Sequence, residues 1–464
     1  MTTRSLSRSL SFLSLTVVLI VATVVAQEPE KKRNDPADAR AKFQEVLRKM
    51  SVEKPALMRA ALAHLEERYD LTNRPAAGVT MFRGKPVQEG VRVKLPAGAS
   101  WQQLAALSPD DLRRRNLWPL GFHPLPFPHH PEGGMLFPQF HIDEVKRQNA
   151  RDLQRFDLDF DIPDRFLPEF PPAVFLTTRP DLGDVSDGKV LTTDNFFEIL
   201  SGVLNPKQLE GFRLLVAPLP QQQFNATDDR RTLRPSFGVT CFDCHVNGHT
   251  NGATHLVGDI RPQELRHRIE TPSLRGVNIQ RLFGSQRALK SVEDFTEFEQ
   301  RAAYFDGDPV TATKKGVRIL ERGSEVHFMG EMQNILDFPP APKLGYDGKL
   351  DPAKANTAEM RGQELFFGKA KCGHCHPAPY YTDNEMHDLQ TGRFFEPKTI
   401  RHHTMVMDGK IKTFPLRGIK ESPPYLHDGR LMTLDDTVEF FNLILAIKLT
   451  DQEKKDLVAF MRAL

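Results

Sequence analysis

Residues 241–245 read Cys-Phe-Asp-Cys-His, and residues 372–376 read Cys-Gly-His-Cys-His. The chain holds four cysteines and these two motifs use all of them, which leaves none for a structural disulfide. Two thiols with two residues between them, followed at once by a histidine, are what covalent haem attachment requires. Each thiol meets one vinyl group, and the imidazole binds iron from the proximal side. The motifs therefore predict four thioether bonds, from Cys241, Cys244, Cys372 and Cys375, and two iron ligands, His245 and His376. A zinc centre would draw both cysteine pairs into one tetrahedral cage and gives no reason for a histidine directly after each pair. A thioredoxin-type dithiol needs an αβ context that is not evident here.

Working outward from the motifs, the sequence repeats. Thr271-Pro-Ser-Leu-Arg-Gly-Val277 aligns without a gap on Thr413-Phe-Pro-Leu-Arg-Gly-Ile419, and Leu289-Lys-Ser-Val-Glu-Asp294 on Leu431-Met-Thr-Leu-Asp-Asp436. Each copy follows its own motif. A helix-like segment precedes each motif as well, Leu209–Leu215 in one case and Met360–Phe366 in the other. The second copy closes on Leu449-Thr-Asp-Gln-Glu453, with Thr450 as N-cap and Glu453 completing a capping box. The apolar stripe Leu457, Phe460, Met461 and Leu464 is expected to pack on the opening helix near Leu365 and Phe366. The fold class is mainly α, with two cytochrome c-like haem domains in tandem, residues 201–345 and 346–464. The helix-breaking stretch Phe338-Pro-Pro-Ala-Pro342 suits the linker between them.

Ahead of these domains, residues 27–200 form an accessory region. Helical spacing runs from Pro36 to Tyr69, and two helices are expected there. From Leu71 to Asp184 prolines crowd the chain, so this part is expected to be ordered but irregular. Its histidines His123, His129, His130 and His141 follow no ligand spacing and read as surface or packing residues. At the amino terminus Arg4 and Arg8 precede an apolar run from Phe12 to Val25, and Val24-Val25-Ala26 ends it with small residues. Residues 1–26 read as an export signal cleaved after Ala26. About 14 apolar residues fall short of the roughly 20 that span a bilayer. The mature chain is expected to have no spanning segment and to be periplasmic. The full chain of 464 residues carries 62 basic and 60 acidic side chains, a balance that argues against a nucleic-acid partner.

The residue opposite each proximal histidine decides between electron transfer and catalysis, because a strong sixth ligand closes the iron and an open face admits peroxide. Near the first motif the candidates are His249, His255 and His267. His255, in Gly252-Ala-Thr-His-Leu-Val-Gly258, sits in a stretch expected to be flexible. Near the second they are Met405, Met407, His402 and His403, with His427 in the repeat. On residue type alone each of these is equally a packing residue.

Pro379-Tyr-Tyr-Thr-Asp-Asn384, Thr413-Phe-Pro-Leu-Arg-Gly418 and Pro424-Tyr-Leu-His-Asp-Gly-Arg430 closely resemble the bacterial di-haem cytochrome c peroxidase family and its MauG-like relatives. The resemblance runs from about Asn205 to Leu464 and is more specific in the second copy. It implies a heme iron oxidoreductase in which the amino-terminal haem, on His245, reduces hydrogen peroxide. The carboxy-terminal haem, on His376, would take electrons from a small redox protein. The alternatives are a di-haem electron carrier without peroxidase turnover and a MauG-like oxidase of a protein or organic substrate. The resemblance also implies a calcium ion between the domains, matched here by Glu270 and the carbonyls of Thr413 and Pro415. The family's acid-base pair has approximate matches in Glu297, Glu299 and Gln300. Three departures stand out. Ser285-Gln286-Arg287 replaces the family's interface Trp-Asp-Gly, the second distal Met or Tyr falls near Phe441, and the acid-base match is inexact. Phe283 and Phe242 are the aromatic residues available to fill the gap between the haems.

Overall fold

The structure, a computed structural model, describes residues 168–169, 171–217, 240–252, 254–257, 267–305, 323–389, 399–400, 403–404, 410–427, 429 and 431–464, with shorter pieces between 52 and 136. The expected signal at 1–26 and most of the expected helices over 36–69 lie outside the described residues. Helices carry the described architecture. They are α1 Trp101–Ala106, α2 Phe196–Leu200, α3 Pro206–Val216, α4 Cys241–Cys244, α5 Val292–Phe305, α6 Gly323–Gln333, α7 Thr357–Phe367, α8 Leu434–Ile444 and α9 Asp451–Ala463. The described strands form only two-stranded antiparallel pairs. Among the described residues no helix is long and apolar enough to cross a membrane.

Two helix pairs repeat one design. Asn205 caps α3 through a reciprocal box with Gln208, and Asn356 caps α7 through the same box with Glu359. Each opening helix then carries a glycine where a later helix crosses it. A Cβ on Gly211 would lie 1.9 Å from the Phe328 carbonyl oxygen of α6, and one on Gly362 would lie 2.0 Å from the Asp456 carbonyl oxygen of α9. Only a residue without a side chain lets backbones approach so closely. α9 begins at the Thr450–Glu453 capping box expected from sequence.

Each pair seals its own core. Around α3 and α6 are Phe196, Phe212 and Phe242, with Phe212 stacked 5.9 Å from Phe196 and edge-on 5.2 Å from Phe242. Around α7 and α9 are Phe366, Tyr381 and Phe460, with Phe366 edge-on 5.1 Å from Phe460 and 5.7 Å from Tyr381. Edge-to-face rings at these separations stabilise by about 0.5–1.5 kcal/mol per pair beyond burial.

The boundary expected at residue 200 does not coincide with a packing boundary. Val174, Leu176, Val185, Leu191, Phe196 and Leu200 are buried in the α3–α6 core. Asn247 fastens this segment by donating to Pro172 O and Lys189 O and accepting from the Leu191 amide. Composition misled here because the proline crowding continues through Pro172 while the apolar residues after it already face the core. Further back, Leu104 and Ala105 of α1 are buried against the other core.

The expected linker is likewise packed. Phe338 lies against Gly276 and Pro339 against Gly418, where a Cβ would stand 2.0 Å and 2.6 Å from those rings. Both glycines also have φ near +70°, at 73° and 71°. The Leu-Arg-Gly turns of the two repeats therefore clasp the connection between them.

Candidate functional site

α4 and the turn after it carry the first motif, and a single 3-10 turn over Cys372–His374 carries the second. Both proximal candidates are oriented by a backbone carbonyl. His245 Nδ1 lies 2.9 Å from Pro272 O, and His376 Nδ1 lies 2.7 Å from Tyr381 O. Facing a carbonyl, each Nδ1 must donate, which leaves the Nε2 lone pair for a metal. Burial pushes the pKa of His245 down to about 4 and lowers that of His376, so both rings stay neutral, the form that ligates. None of the four cysteines is in a disulfide. Burial pushes the Cys372 thiol up to about 12 and raises Cys375 as well.

One cavity of about 420 Å³ joins the motifs, lined by Cys241, Cys244 and His245 on one side and Cys375 and His376 on the other. The rest of its wall obeys the repeat. Thr271, Leu274, Phe283, Val292 and Phe295 line one end, and Thr413, Leu416, Tyr425, Leu434 and Thr437, each 142 positions later, line the other. Cysteine thiols on the wall, a neutral imidazole at each end and a mainly apolar lining are the donor set and surroundings that c-type haem needs. The residues present fit that group at both ends.

The repeat also sets how the halves meet. The Glu270 amide donates to His427 O at 2.8 Å, and the Lys412 amide donates to Ser285 O at 2.8 Å. A shift of 142 positions turns each bond into the other, so the interface has a pseudo-two-fold axis. The tripeptide standing where the resemblance expects Trp-Asp-Gly works as a strap across it. Ser285 accepts from Lys412, Gln286 Nε2 donates to Lys410 O at 3.0 Å, and Arg287 pairs with Glu385 at 2.5 Å. Deeper in, Arg275 forms a buried ion pair with Glu421 at 2.8 Å and donates to Ala173 O at 2.6 Å.

The two ends differ where chemistry would need them to. Glu299 and Gln300 of α5 line the first end, together with Thr296 and Gln333. Gln300 Nε2 donates to Thr296 O at 3.2 Å, and Gln333 Nε2 donates to Thr296 Oγ1 at 2.9 Å. Glu297 is not among the lining residues, since it lies half-buried on another side of α5. At the second end Phe441 occupies the position equivalent to Glu299.

Several sequence candidates change standing. His249 has both ring nitrogens engaged, Nδ1 with Ser273 Oγ at 2.8 Å and Nε2 with Glu421 O at 2.9 Å, so it holds the interface and is not a free iron ligand. The stretch around His255 is a strand, Thr254–Val257, paired with His267–Glu270, because Glu270 is anchored by the other half. That backbone is fixed and not the swinging segment expected; the His255 side chain lies outside the described residues. Met405, Met407 and His402 lie outside them too. Phe283 lines the cavity, whereas Phe242 packs into the α3–α6 core. For calcium, Glu270 accepts from Thr250 Oγ1 and Thr413 O accepts from Thr382 Oγ1. Burial raises the Glu270 pKa well above its ordinary value. Among the described residues no three His, Cys, Asp or Glu gather as a metal cluster. Sequence reasoning missed Gln333, Met461, Lys412 and His387 on the wall, the last held by Asp383 at 2.6 Å. For Lys412 the repeat was the available signal, because it stands opposite Glu270 in the alignment.

No family model matches the chain. Cytochrome-c peroxidase IdrP1 of Denitromonas iodatirespirans is 28% identical over 162 residues, covering 25% of this chain and 42% of that protein. Methylamine utilization protein MauG of Methylorubrum extorquens is 32% identical over 133 residues, covering 25% of this chain and 36% of that protein. The chain thus spans less than half the length of these curated relatives. Among solved structures, a MauG-like protein associated with microbial copper homeostasis overlays 56% of this chain and 88% of its own at TM-score 0.39 and 20% identity. The diheme peroxidase BthA of Burkholderia thailandensis overlays 61% of this chain and 88% of its own at TM-score 0.33 and 16% identity. Overlays this loose say nothing about activity. Over 25% of its length the chain is similar in sequence to cytochrome-c peroxidases and to MauG.

Proposed function

We propose that the chain is an exported, periplasmic cytochrome with two covalently bound haems. It reduces hydrogen peroxide at the end of the cavity that holds His245, and electrons from a small redox protein enter at the end that holds His376. The observation that carries this reading is an asymmetry of the cavity wall, with Glu299 at one end and Phe441 in the equivalent place at the other. The haems would supply one-electron couples and an iron centre open to peroxide. Two electrons and two protons convert one hydrogen peroxide to two waters. The protons are the chain's concern: Glu299 is positioned to hold and deliver one to the departing oxygen, worth about 10²–10⁴-fold in rate. Gln300 and Gln333, both bonded to Thr296, keep that wall polar and fixed. A carbonyl holds Nδ1–H of both His245 and His376, so each Nε2 would be left to hold a haem iron.

The rival carrier reading needs a sixth ligand such as Met or His at both ends. Glu299 and Phe441 are neither, whereas Met461, His387 and His427 also line the wall, so spectroscopy decides between the two readings. Acid-denatured protein should keep two haems by mass. In half-reduced protein a high-spin haem that depends on His245, with peroxide turnover lost in His376→Ala, is the expected result. Two low-spin haems in every redox state and no peroxide consumption would refute the proposal. Turnover confined to a protein or organic substrate would assign the MauG-like oxidase instead.

A further inference from the structure

Lys412 is 3% exposed, and its charge is placed with unusual care. Its Nζ donates to Gln280 Oε1 at 2.8 Å and stands 5.4 Å from the Phe283 ring centroid and 5.3 Å from that of Phe414. Those three partners line the same cavity as Lys412 itself, and two of them come from the first half of the interface while Phe414 comes from the second. Among the described residues no carboxylate forms an ion pair with it. A buried ammonium without a counter-charge is expensive to keep, and an amide oxygen with two ring faces offsets only part of that cost. Across the pseudo-two-fold the equivalent residue is Glu270, so the repeat is broken by opposite charge types at one backbone position.

Both proposed redox centres border this cavity, and the low-dielectric wall between them screens a fixed charge poorly. Reducing a haem adds one electron and no compensating cation. A neighbouring positive charge therefore favours the reduced state, and net charge near a centre is one of the levers that set its potential. Lys412 Nζ stands 5.3 Å from the Phe414 ring centroid, and the Phe414 backbone in turn adjoins the His376 ring. Phe414 thereby links the ammonium to the centre at His376.

We propose that Lys412 orders the two potentials: its buried ammonium raises the reduction potential of the haem held by His376, so that electrons entering the protein settle there first. This rests on the di-haem reading. The couple concerned is ferric to ferrous, one electron, supplied in the test by dithionite. Gln280 is a positioning residue in this scheme, since it fixes where the ammonium points.

The test is potentiometric titration of the two-haem holoprotein at pH 6, followed optically, for the unaltered chain, Lys412→Met, Lys412→Arg and Gln280→Glu. Lys412→Met should lower the equilibrium constant for reducing the higher-potential haem about tenfold, which is about 59 mV for a one-electron couple. Lys412→Arg should restore it. Gln280→Glu, which keeps the lysine and places a carboxylate beside it, should lower the same couple without removing any packing. Unmoved potentials in both Lys412→Met and Gln280→Glu would overturn the proposal, as would equal shifts in Lys412→Met and Lys412→Arg. A protein that carries no covalent haem fails the di-haem reading, and mass reveals this before any titration. A two-haem protein whose potentials ignore these changes fails this inference alone.

Discussion

Gly362→Ala tests the fold where two backbones come closest. The new Cβ would stand 2.0 Å from the Asp456 carbonyl oxygen, 2.7 Å from its carbon and 2.7 Å from the Phe460 Cβ. Non-bonded carbon contacts are best at about 3.5–4.0 Å, so α9 must retreat by more than ~1 Å. The oxygen belongs to a helix backbone and has no rotamer by which to yield. Retreat would open the ring contact between Phe366 and Phe460, now 5.1 Å apart. Overpacking of this kind costs about 1–3 kcal/mol. Alanine returns about 0.5–1 kcal/mol through its better helix propensity. The net expectation is a loss of about 1–2 kcal/mol, read as a lower urea midpoint by far-ultraviolet circular dichroism. Gly202 is the control, because a Cβ there meets nothing within 4 Å. Gly211→Ala should repeat the loss in the other helix pair, where the clash is with Phe328 O at 1.9 Å. If Gly362→Ala unfolds at the same urea concentration as Gly202→Ala, the close helix crossing is wrong, and so is the core built on it.

Glu421→Gln strands the Arg275 guanidinium in the interface, and breaking a buried pair in this way costs about 3–5 kcal/mol, measurable by the same unfolding assay. Glu299→Gln should slow peroxide consumption by about 10²–10⁴-fold with reduced small cytochrome as donor, whereas Glu297→Gln should leave it unchanged. Equal losses in the two variants would remove Glu299 from its role. Asp456 accepts two bonds from Arg361, at 2.7 Å and 2.8 Å, and these hold its carboxyl below the ordinary value of 3.8. A carboxyl with a lowered folded-state pKa stabilises above its unfolded pKa and loses that contribution as pH falls through the folded one. Asp456→Asn should therefore be less stable than the parent at neutral pH, and the gap should narrow only below about pH 4 in acid-unfolding curves.

How far sequence could reach is clearest at the repeat. Two Cys-x-x-Cys-His motifs and two Leu-Arg-Gly turns were legible because the chemistry and the positive φ of Gly276 and Gly418 each admit few residue types. The α9 start was legible because a capping box is local. What escaped were the contacts between the copies. Nothing local says that His249 reaches Glu421, or that Ser285-Gln286-Arg287 straps the halves together, because both depend on how two distant surfaces meet. Residues 171–200 escaped for a related reason: their apolar side chains have no helical or strand period, and only the finished core explains them. Yet the repeat carried more than a fold. Once its 142-residue shift is laid on the cavity wall, positions such as Thr271 and Thr413, Leu274 and Leu416, and Arg275 and Arg417 match, while others differ, among them Glu299 against Phe441 and Glu270 against Lys412. A duplicated scaffold supplies two equal sites by backbone symmetry, so any division of labour must reside in side chains that break it. The acid sits at one end, where a site consuming protons would need it, and the buried cation stands between the Phe283 and Phe414 rings, where it can bias an electron passing from one half to the other.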